Sequence, residues 1–472
     1  MSQKNETAVL ALSVLITLGL VGGGFWWLKD KILPQSSPGN NLLQSSNQAI
    51  SERISFGEKF LTPREISPIK KESIAALASG SYEKAISNLQ AALQLQKNDP
   101  EALIFLNNAR IGVGKNYTIV ASVPLGTDLN SSLEILRGVA QAQNEINTAG
   151  GIKGVPLKVG IANDDNHPEI AKQIAKVLVN NPQVLGVVGP YASDVTLAAG
   201  TIYTSGELVA ISPVSTSVKI SNFSRYIFRT VPSDFMAARA LARYTIENLQ
   251  KKNVAVFFNS QSNYSQSLKS EFVSSVSLEG GQVSTEFDLS QSNFSAAKSV
   301  EQAIKQGAEV LMLAANTNTL DKALQVVQVN QKRLKLLGGD DVYTSKTLEI
   351  GREQAVEMVL AVPWHIDGMH NSDFPRQSRQ LWGADVNWRT ALAYDAAKAL
   401  IEGLKSNPTR IGVQQALSTP EFSPTGASGS VRFLPSGDRN AAVQLVKIVS
   451  KNSSRSGTGF DFVPVQLSAM KN

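Results

Sequence analysis

The sequence predicts an α/β fold of two lobes with parallel sheets, preceded by one transmembrane helix and a short helical hairpin. Three observations carry that expectation. From residue 117 onward, short buried apolar runs alternate with helix-period segments, the pattern of parallel strands covered by helices on both faces. The ~350 residues in that region exceed what one core comfortably holds, so two lobes are expected. Residues 7–28 carry no charge and are bracketed by Glu6 and Lys29. At about 1.5 Å per residue they extend ~33 Å, enough to cross a hydrocarbon layer of ~30 Å.

Taken in order, the first element is that span. It closes on Gly22-Gly23-Gly24-Phe25-Trp26-Trp27, with two tryptophans where amphipathic rings favour the headgroup zone. A cleaved signal peptide has a shorter apolar region and an A-x-A-like site, so an uncleaved single-pass anchor is expected, with the bulk of the chain extracytoplasmic. Residues 29–62 are rich in Ser, Asn, Gln and Pro and read as a flexible linker. In the segment 63–114, Tyr82, Ala85, Ile86, Leu89, Ala92 and Leu93 recur at spacings of three and four. They resemble the second helix of a tetratricopeptide repeat, with Ala85 and Ala92 where helices approach closely. The expectation is three short antiparallel helices over 66–109, standing apart from the lobes as a spacer or as a docking surface for a protein partner.

Residues 115–472 form the bilobal part, with lobe 1 at about 115–230 and 363–430 and lobe 2 at about 231–362 and 431–472. Strands are expected at 117–125, 157–162, 184–188, 253–258, 282–287, 309–314 and 334–337. A helix over 131–147 places Leu133, Leu136, Val139, Ala140 and Ile146 on one face, and another over 167–180 starts at Pro168.

Composition excludes several classes of function. Of the 472 residues, 42% are hydrophobic and 18% charged, so the chain has ample material for a core. The 45 Lys and Arg against 39 Asp and Glu leave +6, with no basic run and no interleaved aromatics of the kind nucleic acid requires. There is no cysteine, which removes disulfides, thiol catalysis, Cys-ligated zinc and an acylated lipoprotein cysteine. Catalytic options are thin. The histidines are His167, His365 and His370, and the last two, five apart around Asp367, do not stack on a helix face. Gly426-Ala427-Ser428-Gly429 lacks the spacing of a nucleophile elbow. Gly112-Val113-Gly114-Lys115 lacks the hydroxyl and the preceding strand of a phosphate loop. Asp164-Asp165 reads as helix capping. No enzyme and no cofactor is expected.

Recognition fits these residues better. In an open α/β sheet, ligands settle where strand ends meet helix N-termini, whose orphan N–H groups favour anions. Two such loops are rich in small hydroxyl residues, Gly189-Pro190-Tyr191-Ala192-Ser193-Asp194 and Ile211-Ser212-Pro213-Val214-Ser215-Thr216.

Further segments complete a recognisable order. They are Arg137-Gly138-Val139-Ala140 with Glu145-Ile146-Asn147, Gly150-Gly151-Ile152-Lys153-Gly154, Asn163-Asp164-Asp165, Val187-Val188-Gly189-Pro190, Phe228-Arg229-Thr230 and Ala393-Tyr394-Asp395-Ala396. With them, residues 117 to about 464 resemble the leucine/isoleucine/valine-binding family of type 1 periplasmic (ABC transporter) substrate-binding proteins. The resemblance implies two lobes joined by three crossovers, closing on ligand like a hinged clam. It implies that Ser193, Val214 and Thr216 meet the α-carboxylate of an amino acid, that Asp340 (or Asp341, after a shift of one) accepts its α-ammonium, and that Tyr264 covers it. Two positions depart from the family. Asn316 stands where a tyrosine is frequent, and Ser131 replaces a bulkier residue, so a more polar or larger pocket is expected.

The function expected from this resemblance is a membrane-anchored solute-binding protein. It captures an amino acid (branched-chain-like) or similar small zwitterion for an ABC transporter permease. The alternative is an envelope regulatory protein resembling the penicillin-binding-protein activators, in which the same fold docks a partner.

Overall fold

The computed structural model describes residues 50–368 and 373–466, and the chain from Arg53 onward folds as one unit around two sheets. It opens with strand β1 (Ile54–Ser55) and helices α1 (Pro68–Ala78), α2 (Tyr82–Leu95) and α3 (Pro100–Ile111). Lobe 1 continues with β2 (Tyr117–Val123), α4 (Leu129–Thr148), β3 (Leu157–Asn163), α5 (Pro168–Asn180), β4 (Val184–Val188), α6 (Ser193–Ser205), β5 (Ala210–Ser212) and β6 (Ile227–Arg229). Its sheet runs β1-β3-β2-β4-β5-β6, parallel except for β1, which lies antiparallel on β3 with Ile54 opposite Ala162.

Lobe 2 is built from α7 (Asp234–Arg243), β7 (Asn253–Phe258), α8 (Asn263–Leu278), β8 (Gln282–Asp288), α9 (Ala296–Lys305), β9 (Val310–Ala314), α10 (Leu320–Asn330), β10 (Lys335–Gly338), α11 (Ser345–Gly351) and β11 (Val359–Val362). The chain returns to lobe 1 for α12 (Phe374–Trp382), α13 (Trp388–Ser406), α14 (Arg410–Leu417) and the hairpin β12 (Thr425–Gly426)–β13 (Gly429–Ser430). It ends on lobe 2 with β14 (Gln444–Ser450) and β15 (Phe460–Pro464), both antiparallel to their neighbours in the order β15-β14-β11-β10-β9-β7-β8. The chain thus crosses between lobes three times, and the sheets are mixed rather than wholly parallel.

Buried runs such as Val310-Leu311-Met312-Leu313-Ala314 form the central strands because helices cover both faces and leave no side for polar residues. In lobe 1, α4 packs closely on α13. A Cβ on Gly138 would lie 2.2 Å from the Thr390 carbonyl oxygen, so only glycine lets the two backbones approach this closely.

The structure departs from the sequence reading at the N-terminal side of lobe 1. The end of the expected linker is ordered chain: β1 pairs with β3, and Phe60 packs on Phe105 with ring centroids 5.2 Å apart. The three helices form, but they do not stand apart. Nearly every residue of α3 is buried, and it packs against α4. The Glu101 side chain, wholly buried on α3, accepts the N–H groups of Leu61 at 2.5 Å and Thr62 at 3.2 Å. Residues 431–440, expected in lobe 2, lie on lobe 1, where Asp438 pairs with Arg229 at 2.6 Å. The expected span at 7–28 lies outside the described residues, among which no helix is long and apolar enough to cross a membrane.

Candidate functional site

On the lobe 1 side, β4 runs into α6, whose first helical residue is Ser193. The free N–H groups of that first turn and the positive end of the helix dipole favour an anion in front of them. The Ser193 Oγ accepts the Ser217 N–H at 3.2 Å, which leaves the hydroxyl proton to donate elsewhere. The neighbouring loop is held from beneath by Arg229, a fully buried guanidinium. It donates to the carbonyls of Ser215 at 3.2 Å and Ser217 at 2.9 Å and to Ser221 Oγ at 2.8 Å, with Asp438 as its counter-charge. One cation therefore fixes the backbone that presents Val214.

On the lobe 2 side, Tyr264 occupies the first turn of α8, and its hydroxyl donates to Asp340 Oδ1 at 2.7 Å. Asp340 lies one residue beyond β10, after Gly339. The turn before it passes so close to the ring that a Cβ on Gly339 would stand 2.4 Å from the Tyr264 oxygen. Asp341 points to a different partner. Arg389, buried in the first turn of α13 in lobe 1, pairs with its Oδ1 at 3.2 Å, and the Tyr191 hydroxyl donates to the same oxygen at 3.4 Å. Burial raises the pKa of both Asp340 and Asp341. Asp341 has the Arg389 charge beside it, whereas the group bonded to Asp340 is a neutral phenol.

Between these walls lies a cavity of about 430 Å³, within the usual range of small-molecule sites. Ser193, Val214, Tyr264, Asn316 and Asp340 all line it, and so does Asp341. Thr216 does not. Its carbonyl accepts the Asp234 N–H at 2.9 Å and its hydroxyl stands beside the Asp234 carboxyl, so the turn that presents Val214 directs Thr216 behind the wall. Ser131 lines a neighbouring cavity of about 550 Å³ instead, together with Arg389.

The lobes also touch across the cleft. Asp194 of α6 accepts the Asn263 backbone N–H at 3.1 Å and its side-chain amide at 2.5 Å, so a carboxylate of one lobe caps a helix of the other. The Val218 N–H donates to Ser267 Oγ at 3.0 Å. Sequence reasoning missed these residues and Arg389. Arg389 had one available signal, since a cation in the first turn of a helix opposes the dipole and needs another reason to be there.

The segments set aside as catalytic have structural occupations. Asp164 accepts from Ser122 Oγ at 2.7 Å and the Asn166 N–H at 2.9 Å, while Asp165 pairs with Arg53 at 2.5 Å. The Ala427 and Ser428 N–H groups donate to Asp395, at 2.5 and 3.3 Å. His365 is buried and its Nδ1 accepts the Asp367 N–H at 3.2 Å, while His370 lies outside the described residues. Among the described residues no cluster of three His, Cys, Asp or Glu side chains could hold a metal ion.

Comparison with known proteins gives a consistent picture. The family model described as "Periplasmic binding protein" matches residues 118–454. An amino acid binding protein of Pseudomonas aeruginosa is 31% identical over 138 residues, 29% of this chain and 37% of that one. A leucine-, isoleucine-, valine-, threonine- and alanine-binding protein of the same species is 24% identical over 227 residues, 48% of this chain and 60% of that one. The chain thus spans between about a third and three fifths of the length of these relatives, and both are named as binding proteins. Among solved structures, an ABC transporter substrate-binding protein of Desulfitobacterium hafniense in complex with Leu superposes with a TM-score of 0.64. It is 22% identical and the match covers 74% of this chain and 100% of that one, a likeness of fold.

Proposed function

This chain belongs to the periplasmic binding protein family, and from that premise we propose that it is an extracytoplasmic solute-binding protein for an ABC transporter. Its ligand in this reading is an α-amino acid or similar small zwitterion, held without covalent chemistry between the lobes. The observation that carries the reading is the polarity of the 430 Å³ cavity. One wall offers a helix N-terminus and the Ser193 hydroxyl to a carboxylate. The other offers Asp340, whose hydrogen-bonded partner is the Tyr264 phenol rather than a cation, to an ammonium. Charge-assisted hydrogen bonds at both ends fix the ligand, and removal from water strengthens them. The uncharged stretch 7–28 supports a tether to the plasma membrane that confines capture to its surface.

Calorimetry of the full chain with amino acids, natural against Asp340→Asn, tests this. Losing one partner of a buried charged contact costs on the order of 2–5 kcal/mol, against ~0–1 kcal/mol for an exposed pair. Unchanged affinity in the variant would remove Asp340 from the site. Failure of every amino acid to bind the folded natural chain would remove the reading.

A further inference from the structure

The part of the cavity lined from the ends of β7 and β9 has a hydrogen-bond polarity that follows from a short relay. The Gln261 backbone N–H donates to Asn259 Oδ1 at 2.8 Å, and because a backbone donor admits no ambiguity, this fixes the Asn259 amide. Asn259 Nδ2 therefore points the other way and donates to Asn316 Oδ1 at 2.9 Å. The Thr319 hydroxyl donates to that same oxygen at 2.8 Å. With its carbonyl doubly taken, Asn316 has its amide N–H groups left over, and Asn316 lines the cavity. Ser262, on the same wall, accepts the Ser265 N–H at 3.4 Å and retains its own proton. Charge narrows the choice further. The carboxyl and ammonium groups lining the cavity are those of Asp194, Asp340, Asp341 and Lys322, three acids and one base. The Lys322 ammonium already donates to the carbonyls of Leu289 at 2.6 Å and Gln291 at 3.0 Å.

We propose that the ligand's side chain is neutral and carries a hydrogen-bond acceptor, such as a carboxamide carbonyl, set against Asn316 Nδ2, and is not a branched aliphatic chain. The proposal rests on the amino-acid reading of the same site. An aliphatic chain strands the Asn316 donors in a closed cleft. An acidic one meets an excess of carboxylates, and a basic one, whose charge that excess suits, brings only donors to the donors of Asn316.

The test is calorimetry of the full chain with L-asparagine, L-glutamine, L-glutamate and L-leucine. Asparagine and leucine share a branched end of similar shape, so their ratio reads hydrogen bonding more than fit. The better of asparagine and glutamine should bind at least about tenfold tighter than leucine, because sites built around a hydrogen bond reject analogues lacking it. Asn316→Leu should abolish that preference. Asn316→Asp, nearly isosteric, exchanges the outward donor for an acceptor and should weaken amide binding about tenfold or more, with the unfolding transition retained. Leucine equal to or tighter than both amides, glutamate tighter than glutamine, or a ratio indifferent to both variants would each overturn the proposal while leaving an amino-acid site standing. Binding of no amino acid at all would overturn the parent reading, and this one with it.

Discussion

Asp234 shows how one residue couples the cleft to pH. It opens α7 immediately after the first crossover, is fully buried, and faces the hydroxyls of Ser267 and Thr216. Burial pushes its carboxyl up to about 7; the two hydroxyls and Arg229 pull the other way, and Glu271 adds a small push upward. Asp340 and Tyr264 also feel its charge. Because the folded pKa lies above the unfolded one, the folded chain binds a proton the unfolded chain lacks between about pH 4 and 7. Stability contributed by this residue therefore falls as pH rises through that window, and the penalty is complete above it, on the order of 4 kcal/mol. Asp234→Asn is expected to stabilise the chain at pH 8 and to do little at pH 4, as read by urea unfolding at the two values. Equal effects at both would refute it. Nothing in the sequence distinguishes Asp234 from an ordinary first-turn helix acid. The five cavity-lining candidates came instead from the family resemblance, and each lies at a strand end or helix start, where ligands of open α/β sheets settle. Thr216 was misplaced because position in a loop does not give the direction of a side chain.

At the scale of elements, the strands and helices of the lobes are legible because period-2 and period-3.6 patterns are local properties of the chain. The expected strands at 184–188 and 253–258 coincide with β4 and β7, and the other five differ from the structure by one or two residues at their ends. The helical segment shows what pattern cannot reveal. Its helices were expected from apolar spacing, but in α3 the polar Glu101, Asn107 and Asn108 are buried as well, by partners far along the chain. The amide of Asn108 donates to the carbonyls of Phe56 at 2.8 Å and Val159 at 2.7 Å. Its oxygen accepts the Val159 N–H at 3.1 Å and Gln143 Nε2 at 2.9 Å. Asn108→Ala leaves several buried groups unsatisfied, each costing about 1–3 kcal/mol. It should lower the urea midpoint well beyond an exposed control such as Lys71→Ala. Deleting residues up to 116 should be worse, since it strips β1 from the edge of β3 and uncovers α4. A truncated chain as stable as the full one would show the helices to be the detachable spacer their sequence suggests.

For the whole molecule, two lobes were legible from length and alternation, but the contacts that hold them together were not. Those named above join residues 48 to 150 positions apart, and no local pattern specifies such pairs. Arg389 is the strongest of these links, since it carries a full charge from lobe 1 into a group of lobe 2 acids and donates to the Tyr343 carbonyl at 3.4 Å as well. Burial works against its charge, yet Tyr191, Asp341, Asp128 and Asp340 around it hold the guanidinium more firmly protonated than usual. In the touching arrangement, Arg389→Met leaves Asp341 buried beside Asp340 with no counter-charge, a loss on the order of 3–5 kcal/mol. Separating the lobes returns Asp341 to water and relieves that cost, so the variant should populate an open form. In the proposed reading only the closed form surrounds the ligand, so the apparent affinity falls by the fraction of chains still closed. Small-angle scattering should report a larger radius of gyration for the unliganded variant, and calorimetry a weaker amino acid. Adding Asp341→Asn removes the stranded charge and should recover much of both losses, because two residues in contact do not act additively. If Arg389→Met leaves the radius and the affinity unchanged, the guanidinium is not what holds the lobes together. If the double variant is worse than the single one, Asp341 contributes to the ligand directly rather than through Arg389.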